Sequence, residues 1–352
     1  MDIAVIGAAG SVGRQIVQQV VSERLLACEE RLVLVGNPNG ESARSAYGLA
    51  ADLMDAYAEV APQIEVAFDP SAIRADLIVV AAGATATASL GAASLTRDAL
   101  AERNAPIFEK TARALAENGH GHEIVVCIAN PNELAVALFA KHLGRSRVIG
   151  MGAFLDSLRF RQEIAIDLGI RRQRIHAFIA GEHGSGVVPL WSGVHVYGYE
   201  PEVLQREVAV IRQRIGVEEF PVALSKATAE VERLILAGRI HEAYDAVAQY
   251  PPDVRVVVRP FVTHYSGAKT VIGTARATME FLRTITLGAD ALVSGQVTLE
   301  GDAYGIHGTI GVPFVIGNRG VDRIFELPIS EPERELLCVS AASVKAKIAP
   351  YL

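Results

Sequence analysis

Apolar residues along the chain fall into short unbroken runs set between glycine-rich turns and stretches with helical spacing. Residues 2–6 form the first run, and it passes through Gly7-Ala8-Ala9-Gly10-Ser11-Val12-Gly13 into the helical pattern of residues 14–21. Residues 31–35, 77–82, 123–129 and 147–151 repeat that character, so they read as the second to fifth buried strands. Helical stretches separate them. The N-terminal half therefore predicts repeated β-α units on a parallel sheet, an α/β fold that binds ligands at the carboxyl ends of its strands.

The second half is patterned differently. Residues 174–180, 254–262, 292–299 and 311–316 read as strands, whereas 201–215, 224–236 and the stretch from Ser266 to Leu287 read as helical. Tyr250-Pro251-Pro252-Asp253 interrupts any helix that reaches it. Ser330 and Glu333 form a capping box before a closing helix, on which Leu337, Val344 and Ile348 share the apolar face. Neither an internal repeat nor a low-complexity linker occurs, so two domains, 1–152 and 153–352, are expected to share an extensive interface.

With 352 residues, 50% hydrophobic and 21% charged, the chain can bury a sizeable core. Its formal net charge of -7 offers no general attraction to nucleic acid. No apolar run approaches the roughly 20 residues of a membrane span. Met1 leads almost directly into Ile3 without a basic segment or a small-residue cleavage site, which predicts a cytoplasmic protein. Cys28, Cys127 and Cys338 are too scattered for a metal knuckle or a disulfide framework, and no metal site is expected.

Three motifs carry chemistry. In the glycine run, Gly7 permits a tight turn, Gly10 lets a pyrophosphate approach the backbone, and Gly13 lets the helix pack on the sheet with its N-terminus toward the anion. In Phe154 to Arg161, Asp156 and Arg159 stand three apart, and a helix would place them on one face. Gly181-Glu182-His183-Gly184 supplies a histidine that an acid such as Asp156 can hold in one tautomer. An orienter, a proton carrier and an anion clamp are then all present.

Leu155, Asp156 and Arg159, followed by Gly181 to Gly184, resemble the L-D-x-x-R and G-E-H-G runs of the lactate/malate dehydrogenase family. The glycine spacing is the form that malate dehydrogenases use, and the run from Gly311 to Gly317 matches a late family strand. The resemblance implies a Rossmann-type doubly wound parallel sheet, then an α+β substrate and catalytic domain, assembled as a dimer or tetramer. It also implies NAD or NADP as cofactor, a small 2-hydroxy or 2-oxo acid as substrate, His183 and Asp156 as catalytic residues, and Arg159 as the grip on the α-carboxylate. Cofactor contacts are expected from Gly7, Gly10, Ser11, Val12, Gly13, Gly36, Asn37, Gly83, Asn104 and Ile128. Asn130, at the end of a strand, is expected to touch substrate.

Departures from the family pattern bear on specificity. An NAD enzyme normally carries an acid after its second strand, and this chain has Gly36; Asn37, Ser42 and Arg44 are candidate donors to a 2'-phosphate, so NAD and NADP both stay open. The resemblance implies a lid over residues 84–95 and identifies Arg97 with the arginine that polarises the substrate carbonyl. No Lys or Arg occurs from Ala84 through Thr96, where malate dehydrogenases carry one. Lys269 is the candidate replacement for a distal carboxylate, with Arg255 and Arg259 as rivals and a solvated lysine as the bland alternative. Many relatives have Asp in the place of Ser185. The stretch after His183 is longer than in relatives, which places an insertion within about 216–262. Malate is the first substrate expected. A lactate-like or bulkier 2-hydroxy acid, or a nucleotide-binding protein without turnover, are the alternatives. The remaining histidines, His307 among them, have no partner pattern and read as structural or exposed.

Overall fold

The computed structural model describes residues 1–39, 41–84, 97–184 and 186–352, without the side chain of residue 97. Among the described residues, six parallel strands form the first half: β1 (Ile3–Ile6), β2 (Arg31–Val35), β3 (Gln63–Ala67), β4 (Leu77–Val80), β5 (Ile124–Cys127) and β6 (Val148–Gly150). Strands β1, β4, β5 and β6 are buried along their whole length, the burial their unbroken Val, Ile and Leu content anticipates. Helices α1 (Ser11–Ser22), α2 (Glu41–Ala56), α3 (Arg97–Asn118) and α4 (Asn132–Leu143) connect them. The spatial order is β3-β2-β1-β4-β5-β6, with Ile3 in register with both Leu32 and Leu77. The side on which successive strands are added reverses between β1 and β4, which are themselves parallel. A crevice for ligands opens there, at the strands' carboxyl ends.

One strand of this half escaped the sequence pattern. Residues 63–67, Gln-Ile-Glu-Val-Ala, pair only with β2, and none of them is fully buried. An edge strand needs less apolar content, so the run at Leu77 is the fourth strand and not the third.

The second half contains α5 (Gly152–Asp167), β7 (Ile175–Gly181), β8 (Val187–Val196), α6 (Pro201–Ile211), α7 (Phe220–Leu236), α8 (Ile240–Ala248), α9 (Pro252–Tyr265) and α10 (Val271–Thr286). It closes with β9 (Ala291–Glu300), β10 (His307–Gly317), β11 (Gly320–Ile324) and α11 (Glu331–Ile348). Its strands are antiparallel and extend the same sheet through one bridge from β6 to β9, Gly150 opposite Gln296. The capping box of Ser330 and Glu333 starts α11, with Leu337, Val344 and Ile348 buried beneath it.

Residues 254–262 are not a strand. Pro252 begins α9, and Val254, Val258 and Val262 recur every fourth residue on its buried face. Packing has overridden the β preference of a valine-rich run. Helix α9 joins α7 and α8 in a second core that covers Phe160 and Ile164 of α5 and Trp191 of β8. The first core lies under the other face of α5, at Leu155 and Leu158. Helix α5 is thereby held between the two cores. No helix among the described residues is long and apolar enough to cross a membrane.

Candidate active site

Helix α5 begins without a capping side chain of its own. Two buried side chains from other elements do that work: Asn132 Oδ1 accepts the Gly152 N–H at 3.2 Å, and Gln296 Oε1 accepts the Ala153 N–H at 3.0 Å. One turn on, Asp156 and Arg159 share a face as their spacing predicts, with Arg159 Nη1 donating to Asp156 Oδ1 at 3.0 Å. The other carboxylate oxygen, Oδ2, lies 2.7 Å from His183 Nδ1. Asp156 is 2% exposed. Burial pushes its pKa up, but the facing His183, Arg159 and the Gly184 N–H outweigh this and hold the carboxyl below the usual range. An ionised carboxylate accepts only, so Nδ1 carries the proton and Nε2 is left as the basic nitrogen.

His183 follows β7 in the turn toward β8. Gly181 and Gly184 take φ of +85° and +96° there, a backbone region that favours glycine. The His183 N–H donates to Glu133 Oε1 at 2.7 Å, and Lys347 of α11 pairs with Glu182 at 2.9 Å. A Cβ on Gly152 would lie 2.5 Å from His183 Cγ. Only glycine lets the imidazole rest against the start of α5.

Gly152, Arg159 and His183 border a cleft of about 350 Å³ whose walls also include Ser11, Val12, Gly83, Ile128, Asn130 and Lys269, all named from the sequence. At one end lies the glycine run, where two positions leave no room for a side chain or need a left-handed backbone. Gly7 has φ +86°, and a Cβ on Gly13 would fall 2.2 Å from the Gly7 carbonyl. Helix α1 starts after Gly10 with no side-chain cap and no acid in its first turn, so its N-terminal N–H groups suit a pyrophosphate. At the end of β2, the Asn37 N–H donates to Ser42 Oγ at 3.0 Å beside Gly36. Arg44 is exposed on α2.

Several expectations meet a different outcome. Asn104, expected to touch cofactor, is fully buried and does not line the cleft: Oδ1 accepts the Ala84 N–H at 2.7 Å, and Nδ2 donates to the carbonyls of Ala84 and Asn130. Its amide joins the ends of two loops. Arg255 is no candidate for the substrate tail, because it is 5% exposed and bound to Glu163, Asp167 and the Tyr250 carbonyl. Arg259 pairs with the same Glu163 at 2.9 Å. His264 of α9, set aside with the other histidines, lines the cleft. Crowding by the cleft walls, then the charges of Arg159 and His183, lower its pKa. The expected lid beyond Ala84, the side chain of Arg97 and Ser185 lie outside the described residues.

Gly152, Glu133, Gln296 and His264 were not singled out by sequence. Glu133 does directly follow Asn130-Pro131-Asn132, a usable signal, whereas Gln296 sits inside an ordinary strand and gives none.

Comparison with known proteins identifies a family. Residues 1–150 match the lactate/malate dehydrogenase NAD binding domain, and residues 261–352 match the lactate/malate dehydrogenase alpha/beta C-terminal domain. L-lactate dehydrogenase 2 of Enterococcus faecalis is 28% identical over 352 residues, covering 99% of this chain and 96% of its own length. Malate dehydrogenase of Hydrogenobaculum is 26% identical over 280 residues, 78% of this chain and 71% of its own. The lactate dehydrogenase of Cryptosporidium parvum, solved with lactic acid and nicotinamide adenine dinucleotide, superposes with a TM-score of 0.76 at 24% identity, covering 99% and 97% of the two chains. With both family domains matched in order on one chain, and the strand order and paired Asp156 and His183 in place between them, the chain belongs to the lactate/malate dehydrogenase family.

Proposed function

We propose that the chain catalyses reversible hydride transfer between a small 2-hydroxy acid and a nicotinamide dinucleotide. The observation that carries this reading is the 2.7 Å contact of His183 Nδ1 with the buried Asp156, beside Arg159 on the cleft wall. In oxidation, His183 Nε2 takes the hydroxyl proton and Asp156 stabilises the imidazolium; in reduction the same nitrogen returns the proton to the carbonyl oxygen. Arg159 grips the α-carboxylate in a planar two-bond fork, and its contact with Asp156 fixes that fork relative to the proton carrier. Gly7 to Gly13 and the start of α1 would hold the pyrophosphate, and Gly83, Ile128 and Ala129, which line the cleft, would be available to the nicotinamide. The nicotinamide, when bound, supplies the acceptor or donor of hydride.

A screen of purified protein against oxaloacetate, pyruvate and bulkier 2-oxo acids, with NADH and with NADPH, tests the reading through oxidation of the reduced nicotinamide. Turnover of none of them, with nucleotide still bound, would establish a binding protein in its place.

For the nucleotide, NAD is the coarser reading and NADP stays open beside it, since Gly36 brings no charge against a 2'-phosphate and Asn37, Ser42 and Arg44 follow it in the chain. The Gly36→Asp substitution has room if Ser42 gives slightly, because a Cβ there meets Ser42 Oγ at 3.3 Å. It should weaken NADPH relative to NADH by about tenfold or more, a difference of ~1.4 kcal/mol. Equal KM ratios in the variant and the parent would return the choice to NAD.

For the substrate, Lys269 is proposed to receive the distal carboxylate of malate. It is exposed at the cleft rim, and Arg255, one of its two rivals, is buried. Lys269→Met should lower kcat/KM for oxaloacetate by about tenfold and leave pyruvate within about twofold. An unchanged ratio of the two would sink the assignment.

A further inference from the structure

We infer that Glu133 and Gln296 act as a pair that positions His183, and that they do so from the seam joining the two halves of the sheet. The inference rests on the proposed dehydrogenase reading for its kinetic consequences, though not for its geometry.

The contacts form a continuous line. Gln296 is fully buried on β9, directly opposite Gly150, at the one bridge between β6 and β9. Its Oε1 accepts from the Ala153 N–H at 3.0 Å, at the start of the helix that carries Asp156. Because that oxygen faces a donor, the amide must turn Nε2 the other way, and Nε2 donates to Glu133 Oε1 at 3.1 Å. The same carboxylate oxygen accepts the His183 N–H at 2.7 Å. One amide thus ties the start of α5 to the backbone of the proton carrier, through a carboxylate only 3% exposed.

Glycines clear the space for this line. A Cβ on Gly150 would lie 2.7 Å from Gln296 Cβ, and one on Gly311 would lie 3.2 Å from Gln296 Nε2. A shorter side chain at 296 could not bridge Ala153 and Glu133, and an apolar one of equal length would leave the Ala153 N–H and one carboxylate site without their partner.

Two effects on His183 follow. The first is geometric: Asp156 fixes the ring through Nδ1, and Glu133 fixes the backbone from α4, so the imidazole is held at both ends. The second is electrostatic. The ring faces Asp156 and Arg159 of α5 and His264 of α9, with Glu182 beside it on its own loop paired to Lys347 of α11. Glu133 brings a second buried acid against its backbone, so replacing that acid by an amide tests the electrostatic part directly. Neither side chain lines the cleft, so these are positioning residues.

The test follows the nine histidine rings of the full chain by NMR titration, with the His183 signal assigned by its loss in His183→Asn, alongside steady-state kinetics. Glu133→Gln retains an acceptor for the His183 N–H and removes the charge, so the His183 titration should move down by at least ~0.5 pH unit. Gln296→Met should lower kcat by about tenfold to a hundredfold with the nucleotide KM within about twofold, and should move the same titration. A wild-type titration curve and kcat in both variants would overturn the inference. So would a loss of kcat that merely follows a smaller folded fraction while the His183 curve stays in place. If the parent protein turns over no 2-oxo acid, the dehydrogenase reading falls, and the titrations of the two variants still decide whether this pair positions His183.

Discussion

His183→Asn is expected to lower kcat by about 10²–10⁴-fold in both directions of the reaction while nucleotide affinity stays within about twofold, because general acid–base transfer is worth that much when its carrier is removed. Asparagine retains a hydrogen-bonding group near Asp156 but cannot carry a proton. The dependence of rate on pH should change with it. Asp156 lies below its ordinary pKa, so it is ionised throughout the neutral range and contributes no limb there. Whatever limb His183 contributes in the parent should be absent from the variant, while any contribution of His264 stays. Asp156→Asn gives a companion result: its amide can donate to Nδ1 and turn the ring to the wrong tautomer, at a cost of similar size. Stopped-flow measurement of the hydride step in each variant checks both. A kcat within threefold of the parent in His183→Asn would remove His183 from the chemistry.

The Asp156 cluster also sets a direction for stability. A carboxyl with a depressed folded-state pKa stabilises the fold above its ordinary value, and that contribution is lost as pH falls through the folded pKa.

Arg255→Met is expected to lower the free energy of unfolding by about 3–5 kcal/mol, the cost of stranding a buried acid. Arg255 and Glu163 have side chains 6% and 7% exposed, and the guanidinium spans Glu163 and Asp167 of α5 and the Tyr250 carbonyl. Methionine fills much of the volume and answers none of those acceptors. A fall in urea midpoint with little change in slope measures the loss. The double variant Arg255→Met, Glu163→Leu should recover only part of it, since an ion pair replaced by apolar side chains of similar size often comes out neutral but Asp167 and Arg259 each still lose a partner. Catalysis should feel the single change as well, because this network fastens α9, with His264 and Tyr265 on the cleft wall, to the helix bearing Asp156 and Arg159. A midpoint unaltered by Arg255→Met would show that water replaces the guanidinium at little cost.

Legibility in the sequence followed the range of the interactions. The parallel strands were readable because burial on both faces leaves an unbroken apolar run, and the edge strand at residues 63–67 was not, because one open face admits Gln63 and Glu65. The valine run of α9 carries both a strand preference and a fourfold repeat. Only its packing against α7 and α5 chose between them.

Some of what matters at the cleft is local in origin. Helical geometry alone puts Asp156 and Arg159 on one face, backbone sterics alone demand glycine at position 7, and the capping box of Ser330 and Glu333 closes within four residues. The sequence by itself determined these features, since a few successive dihedral angles suffice to create them. Tertiary structure decided the rest: His183 met Asp156 across 27 positions, Gln296 reached Ala153 across 143, Asn104 turned away from the cleft, and His264 turned toward it. Such contacts exist only after a long loop has closed, and the free energy that closes it comes from the whole core, which no local pattern encodes.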